Sequence, residues 1–309
     1  MKYRIRNATI QDIEKILVML RKAHPCDPRY LAMDAREYIK KFMREPYYKT
    51  SNHILLFNDE DLVGELLASP DVGYGILKNN SLGLRLNILP EHISTYTITL
   101  LLQTVEKIAQ EQGFVELQVT LDSEDKLKEF LEAQGFKYDS SGYWMVKEDC
   151  TLPVLQNMQG FVVRHIKQDE IFQFYKTVNL AFSTDENWKP YEYEEFAQKY
   201  IYPEYVDFNG YFVALDGEKF VGTVVAWAHN SPNAIFPGGE IRALGVLPEY
   251  RNKGIGSFLL ARALEFLISR RITKFYLGTD SYNTPALAIY RRFGFRVWRE
   301  HLRYKKRIG

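Results

Sequence analysis

This 309-residue chain passes through the same pattern of elements twice, and that repeat limits its fold more than any other feature. Ile88-Leu89-Pro90-Glu91 precedes an apolar stretch with helical spacing over residues 97–111, and Val246-Leu247-Pro248-Glu249 precedes another over 256–270. Pro90 and Pro248 lie 158 residues apart. A β-rich run follows each helix, at 115–121 and at 274–278, then a polar helix and a Gly-Phe pair. Gly135-Phe136 and Gly294-Phe295 are 159 residues apart, a drift of a single residue. Both copies also open alike, with an alternating strand and then a helix carrying Ile13, Ile16, Leu17 and Leu20, or Ile171, Phe174, Tyr175 and Val178. Repeats at fixed spacing mean one structural unit built twice.

Each copy therefore runs strand, one or two helices, a meander of strands, helix, strand, helix, strand. The Asp216-Gly217 pair between apolar runs marks a hairpin in the second meander. The expected class is α/β with a largely antiparallel mixed sheet flanked by helices. Thr151-Leu152-Pro153 breaks regular structure, so the expected domains are 1–150 and 160–309. Two cysteines, Cys26 and Cys150, cannot build a disulfide framework. The N-terminus lacks a signal-peptide core, and no apolar run is long enough to span a bilayer. A net charge of +1 advertises neither nucleic acid nor an anionic membrane. The expectation is a cytoplasmic protein, monomer or homodimer, without a metal site.

The chemistry concentrates where the strand over 240–246 gives way to a helix. Arg251-Asn252-Lys253-Gly254-Ile255-Gly256 opens that helix with two glycines and two cations. Glycines admit a ligand close to the backbone, and a helix start offers unpaired N–H donors with a partial positive charge. This suits a pyrophosphate. A dinucleotide fingerprint needs a third glycine where Leu259 stands, and a Walker loop needs Gly-Lys-Ser/Thr where the order is Lys253-Gly254-Ile255.

The pattern Val-x-Pro-x-Tyr-Arg-x-x-Gly-x-Gly over 246–256 resembles the pyrophosphate loop of the GCN5-related N-acetyltransferases (GNAT). Asn283, Ala286, Tyr290 and Phe293-Gly294-Phe295 resemble that family's second signature. The resemblance implies two tandem acyl-CoA N-acyltransferase folds, the second binding acetyl-CoA as acyl donor. It places Arg251, Asn252, Lys253, Gly254, Ile255, Gly256 and Ser257 around the cofactor, and Leu244 and Val246 beside the pantetheine arm, with Gly245 allowing a local bulge. Tyr290 matches the tyrosine that serves the leaving thiolate. Asn283 caps the helix that follows it or contacts pantetheine. Glu240 stands where some relatives carry a general base. The acceptor is expected to be the primary amine of a small or amino-acid-like molecule, with the segment 185–212, dense in tyrosines and acids, beside it.

The first copy departs from this pattern. Aligned by the same offset, Ile93, Tyr96 and Ile98 replace Arg251, Gly254 and Gly256. Bulky residues there leave no cradle, so this copy is expected not to hold CoA, and His92 to be a surface or cap residue. Two other functions stay open: a non-catalytic CoA-binding module, and a protein or peptide N-acetyltransferase.

Overall fold

The computed structural model describes residues 3–43, 48–70, 80–155, 160–185, 188–203, 206–229 and 238–309. The first copy comprises β1 (Tyr3–Asn7), α1 (Ile13–Ala23), α2 (Pro28–Leu31), α3 (Ala35–Tyr38), β2 (His53–Asn58), β3 (Asp61–Ser69), β4 (Ser81–Ile88), α4 (Thr95–Glu111), β5 (Glu116–Asp122), α5 (Leu127–Ala133) and β6 (Lys137–Lys147). The second comprises β7 (Val162–His165), α6 (Ile171–Phe182), α7 (Tyr193–Tyr200), β8 (Tyr211–Asp216), β9 (Lys219–His229), β10 (Gly238–Val246), α8 (Ile255–Ser269), β11 (Phe275–Asp280), α9 (Thr284–Arg292) and β12 (Arg296–Arg307).

Matching devices build the two copies. Arg6 grips Asp12 through both terminal guanidinium nitrogens, at 2.8 and 2.6 Å, and Arg164 grips Glu170 at 2.8 and 2.7 Å. Each fork pins the opening strand to the start of the next helix, and each carboxylate also accepts a backbone N–H, from Thr9 or Lys167. The hairpins β2–β3 and β8–β9 carry register shifts at equivalent places, Leu56/Phe57 and Ala214/Leu215. One pair in each sheet is parallel, β4 with β5 and β10 with β11.

The chain forms two compact units, residues 1–141 with 301–309, and 142–300. This differs from the expected division at 150–160. In the first unit the strand order is β1-β2-β3-β4-β5-β12, and β12 pairs antiparallel with β5 from His301↔Asp122 to Arg307↔Glu116. In the second it is β6-β11-β10-β9-β8-β7, with Gly142 to Lys147 of β6 antiparallel to β11. Each copy's last strand thus ends in the sheet of the other unit. An antiparallel ladder needs only a complementary edge, so sequence order does not decide which sheet a closing strand joins.

Unit 1 packs α1 and α4 around its sheet, with Ile16, Leu17, Leu101, Val105, Leu66 and Leu117 buried together. Tyr304 and Ile308 of the C-terminal segment join that core. Unit 2 has one core around α8, with Leu259, Leu260, Leu264 and Ile241, and a second beneath α6 and α7 that is mainly aromatic, with Phe174, Phe196, Tyr200, Tyr211 and Trp227. Burial of one large apolar side chain contributes about 1.5–3 kcal/mol. Deleting residues 301–309 should therefore strip β5 of its antiparallel partner β12, leaving β4 on its other side, and remove two core side chains. Hydrogen exchange should speed up at Leu117, Val119 and Leu121 while Ile241 and Leu277 stay protected.

Candidate active site

After Val246 the chain makes a short turn over Pro248–Tyr250 and then coils tightly. Asn252 and Gly254 both take left-handed backbone angles, φ +62° and +80°, and α8 begins at Ile255. Among the described residues, the backbone N–H groups of Asn252, Lys253, Gly254, Ile255 and Gly256 have no acceptor; the first satisfied one is Ser257, bonded to the Gly254 carbonyl at 3.0 Å. Consecutive free donors at a helix start form an anion-binding nest, backed by the positive end of the helix. The Gly254 angle requires glycine. A Cβ on Gly256 would sit 3.4 Å from Ile289 and 3.8 Å from Val246, so packing within the unit does not demand glycine there. Lys253 lies exposed over the Tyr250 ring, 4.8 Å from its centroid.

Arg251 was expected to face the anion, but its Nε donates to the Val246 carbonyl at 3.2 Å and its Nη2 to the Ala181 carbonyl at 2.8 Å. Ala181 lies in the last turn of α6, whose free carbonyls attract a cation. Arg251 therefore braces the loop against α6 and contributes its charge from that position.

β10 approaches the loop with a bulge. Its register against β9 shifts between Arg242 and Gly245, so Ala243 and Leu244 together face one residue, Val224. Ala243 carries the strained angle, φ +48°, and its carbonyl accepts from Thr223 Oγ1 at 2.9 Å. The bulge therefore rests on Ala243 and not on Gly245. Glycine at 245 answers a different constraint: a Cβ there would lie 2.8 Å from Ala181 Cβ and 3.0 Å from the Phe182 ring. β10 pairs with β11 only over Gly239–Ile241, so the stretch holding Leu244 and Val246 has no ladder partner on that side.

Just before the bulge lies a buried ionic cluster. Glu240 Oε2 accepts from His229 Nε2 at 2.9 Å, and Oε1 accepts from Arg242 Nη1 at 3.1 Å. Burial alone would raise the Glu240 pKa, but Arg242 and His229 more than offset it and hold the carboxyl below its usual range. Glu240 is thus ionised at neutral pH. Sequence reading missed His229 and Arg242. Arg242 was detectable, because residues two apart on a strand share a face. His229, the last residue of β9, meets Glu240 only through the β9–β10 register, where Trp227 stands opposite Glu240.

Tyr290 lies in α9, 6% exposed, packed with Leu287, Phe293 and the edge of Phe295. Burial pushes its phenol pKa well up, so it is protonated throughout the neutral range. Its hydroxyl makes no hydrogen bond to any described residue. Asn283 caps α9, its Oδ1 accepting from the Ala286 N–H at 3.3 Å. Of the acceptor segment, Tyr191 and Tyr200 are buried in the aromatic core, while Tyr193 and Tyr202 are exposed. Glu192 and Glu195 form a capping box at the start of α7, and Asp207 pairs with Arg270 at 2.5 Å. Glu186, Glu204 and Tyr205 lie outside the described residues.

The first unit closes off the corresponding features. Ser94 caps α4, accepting from the Thr97 N–H at 3.2 Å, so a side chain takes up a donor of the first turn. His92 bonds Tyr3 at 3.0 Å, and Tyr96 packs on Tyr3. β4 runs against β3 without a bulge, and Glu65 replaces Thr223. Glu65 is wholly buried and binds Arg85 at 2.9 Å, His53 at 2.9 Å, Tyr38, and Asn87 at 3.1 Å. Burial would raise the Glu65 pKa, but Arg85 and His53 bring it down to about 2. Its stabilising contribution is full above pH 4.5, the ordinary carboxyl value, and is lost as pH falls toward 2. Glu65→Gln should cost about 3 kcal/mol at pH 7, because Arg85 loses its counter-charge. The gap in urea midpoint from the unsubstituted protein should narrow between pH 4.5 and 2.

The second unit thus holds a nest of free amides, a bulged strand whose last residues lack a β11 partner, and a buried protonated phenol. Residues 169–295 match the Acetyltransferase (GNAT) family, whose members take their acyl group from acetyl-CoA. The chain is 32% identical over 110 residues to a mycothiol acetyltransferase of Arthrobacter sp., a match spanning 34% of this chain and 33% of that protein's length. Among solved structures it resembles a GCN5-related N-acetyltransferase from Sphaerobacter thermophilus, with TM-score 0.78, 18% identity, and 99% and 96% of the two chains covered. It also resembles a tandem GNAT protein from the clavulanic acid biosynthesis pathway, with TM-score 0.70, 13% identity, and 100% and 99% covered. No helix among the described residues is long and apolar enough to cross a membrane. Isothermal titration with acetyl-CoA should give one site per chain, abolished by Gly256→Glu; two equivalent sites would mean that the first copy also binds.

Proposed function

We propose that the chain is an acetyl-CoA-dependent N-acetyltransferase whose second copy passes an acetyl group to the primary amine of a small or amino-acid-like molecule. The observation that carries this reading is the run of five unpaired backbone N–H groups from Asn252 to Gly256 at the start of α8, within the segment that matches the GNAT family. In this reading the nest holds the pyrophosphate of CoA, and the unpartnered stretch of β10 lies along the pantetheine arm. Asn283 primarily caps α9. The similarity to a mycothiol acetyltransferase supports a small-molecule acceptor. The first copy, with its capped helix and filled polar cluster, has a supporting role.

The reaction is direct attack. The amine nitrogen forms a bond to the acetyl carbonyl carbon, and the carbon–sulfur bond then breaks. Glu240, kept ionised by Arg242 and His229, receives the proton released by the amine, directly or through a water. Tyr290 donates its hydroxyl hydrogen to the departing thiolate; burial keeps the phenol protonated at neutral pH, so the donor is present when sulfur gains charge. Removal of a positioned acid lowers turnover by roughly 10²-fold or more. Tyr290→Phe should therefore reduce kcat by that order and leave the acetyl-CoA dissociation constant within about threefold, measured by thiol release and titration. An unchanged kcat would return Tyr290 to packing. A screen of amines, amino acids and peptides with thiol-release detection tests the whole reading. Saturable CoA binding with no turnover on any acceptor would make the chain a CoA-binding module.

A further inference from the structure

Arg242 occupies a place in the second unit that neither the cofactor loop nor the proton transfer uses up. It stands immediately before the bulge, and its neighbours Ile241 and Leu244 pack in the α8 core. Arg242 itself turns to the opposite face, where its guanidinium carbon lies 5.0 Å from the Trp227 ring centroid and 5.8 Å from that of Tyr200. Nη1 is committed to Glu240 at 3.1 Å. No carboxylate or carbonyl among the described residues accepts from Nε or Nη2, and the side chain is 27% exposed, against 7% for Glu240. The Tyr200 hydroxyl stands beside the guanidinium and, after Glu240, helps to raise its pKa against the effect of burial. That hydroxyl is a neutral hydrogen-bond partner, so Glu240 supplies the counter-charge and Tyr200 adds none. Nε and Nη2 form the fork that matches a carboxylate with two parallel hydrogen bonds. Two aromatic rings and an ion pair hold the plane in place, so little rotamer freedom remains to be lost on binding.

The first unit supplies an internal comparison. Arg85 faces Leu67 across β4–β3, and Arg242 faces Val225 across β10–β9, so the two arginines hold the same register on either side of the duplication. In Arg85, however, Nη2 is bonded to Glu65 at 2.9 Å and to the Tyr38 hydroxyl at 3.0 Å, and Nε is sealed from solvent, which closes the fork edge to any ligand. In the second unit the counter-charge sits instead on Glu240, two residues along the same strand, and meets the guanidinium at Nη1. The fork edge is left open.

We propose that Arg242 binds a carboxylate of the acceptor, so that the substrate is an amino acid or another amine carrying a carboxylate near its nucleophilic nitrogen. The proposal rests on the N-acetyltransferase reading and names its substrate class. Arg242 and Glu240 then present a positive and a negative end side by side, complementary to a zwitterion: carboxylate on the arginine fork, ammonium toward Glu240. Each Glu240 oxygen retains a lone pair beyond the bond it accepts. The site is thereby neutral before and after the zwitterion enters, with no uncompensated charge taken out of water.

The test uses the full chain with L-amino acids, their α-carboxamides and the corresponding decarboxylated amines. Steady-state thiol release gives kcat and KM, and titration of the same compounds in the presence of CoA gives binding without turnover. The unsubstituted protein should favour free carboxylates by roughly 10²-fold in kcat/KM, expressed mainly in KM, because a site built to pair a polar group rejects the analogue that lacks it. Arg242→Lys keeps a positive charge for Glu240 but lacks the fork. It should raise KM for carboxylate acceptors by at least about tenfold and leave KM for carboxamides within about threefold. Arg242→Gln should remove the preference, with CoA affinity and the thermal midpoint monitoring the fold. Equal use of acids, amides and amines by the unsubstituted protein would overturn the proposal while leaving acetyl transfer intact. So would an Arg242→Lys effect confined to kcat and equal across acceptors, which would make Arg242 only the partner of Glu240. Carboxylate-dependent binding that Arg242→Lys abolishes, with no turnover on any compound, would uphold the arginine site and remove the acetyltransferase reading.

Discussion

The hydrogen bond from Thr223 Oγ1 to the Ala243 carbonyl fixes the geometry on which the second unit depends. It holds a bulge in the middle of β10 at a backbone angle that costs a non-glycine residue about 1–2 kcal/mol. The extra residue lets one strand meet two demands. Before the bulge, Glu240 and Arg242 face the aromatic core under α6 and α7, while Ile241 packs toward α8. After it, Gly245 presses against α6, with Leu244 and Val246 toward α8. In the first unit the residue equivalent to Thr223 is Glu65, and β4 stays regular. At this position a hydroxyl that holds a strained carbonyl in one unit stands against a carboxylate that pairs with Arg85 in the other.

Charge placement follows the same logic. Both units carry an arginine at one register position, and both neutralise it with a buried glutamate, since an unpaired buried guanidinium is costly. The glutamate comes from the neighbouring strand in one unit and from the same strand in the other. That shift leaves Arg85 with Nη2 occupied and Nε buried, and Arg242, of similar exposure, with only Nη1 bonded to a carboxylate. Arg251 shows the reverse arrangement: a residue expected at the ligand is held by two backbone carbonyls, and the amides of the coil behind it remain for the anion.

The copies also differ at the start of their long helices. α4 starts with the side-chain cap of Ser94 on the Thr97 N–H, whereas α8 starts at Gly254, which has no side chain to cap with. This contrast is legible in the amino-acid sequence, because caps and glycines act through nearest neighbours. The acid-rich segment before β8 is less so. Its composition does not tell which tyrosines turn inward: Tyr191 and Tyr200 are buried while Glu192 and Glu195 form the capping box of α7, since one face of an amphipathic helix is taken by the core.

The sequence by itself determined the duplication, the order of elements in each copy, the single glycine-rich loop and its absence from the first copy. All of these follow from periodicity, turn chemistry and spacing along the chain. The tertiary structure alone decided that β12 and β6 end in the opposite sheets, that the bulge rests on Ala243, that Arg251 braces α6, and that His229, Glu240 and Arg242 form one cluster. Each of these depends on strand register or on segments distant in the chain. Ladder hydrogen bonds are alike at every residue, so local sequence leaves register open until the packed faces choose it.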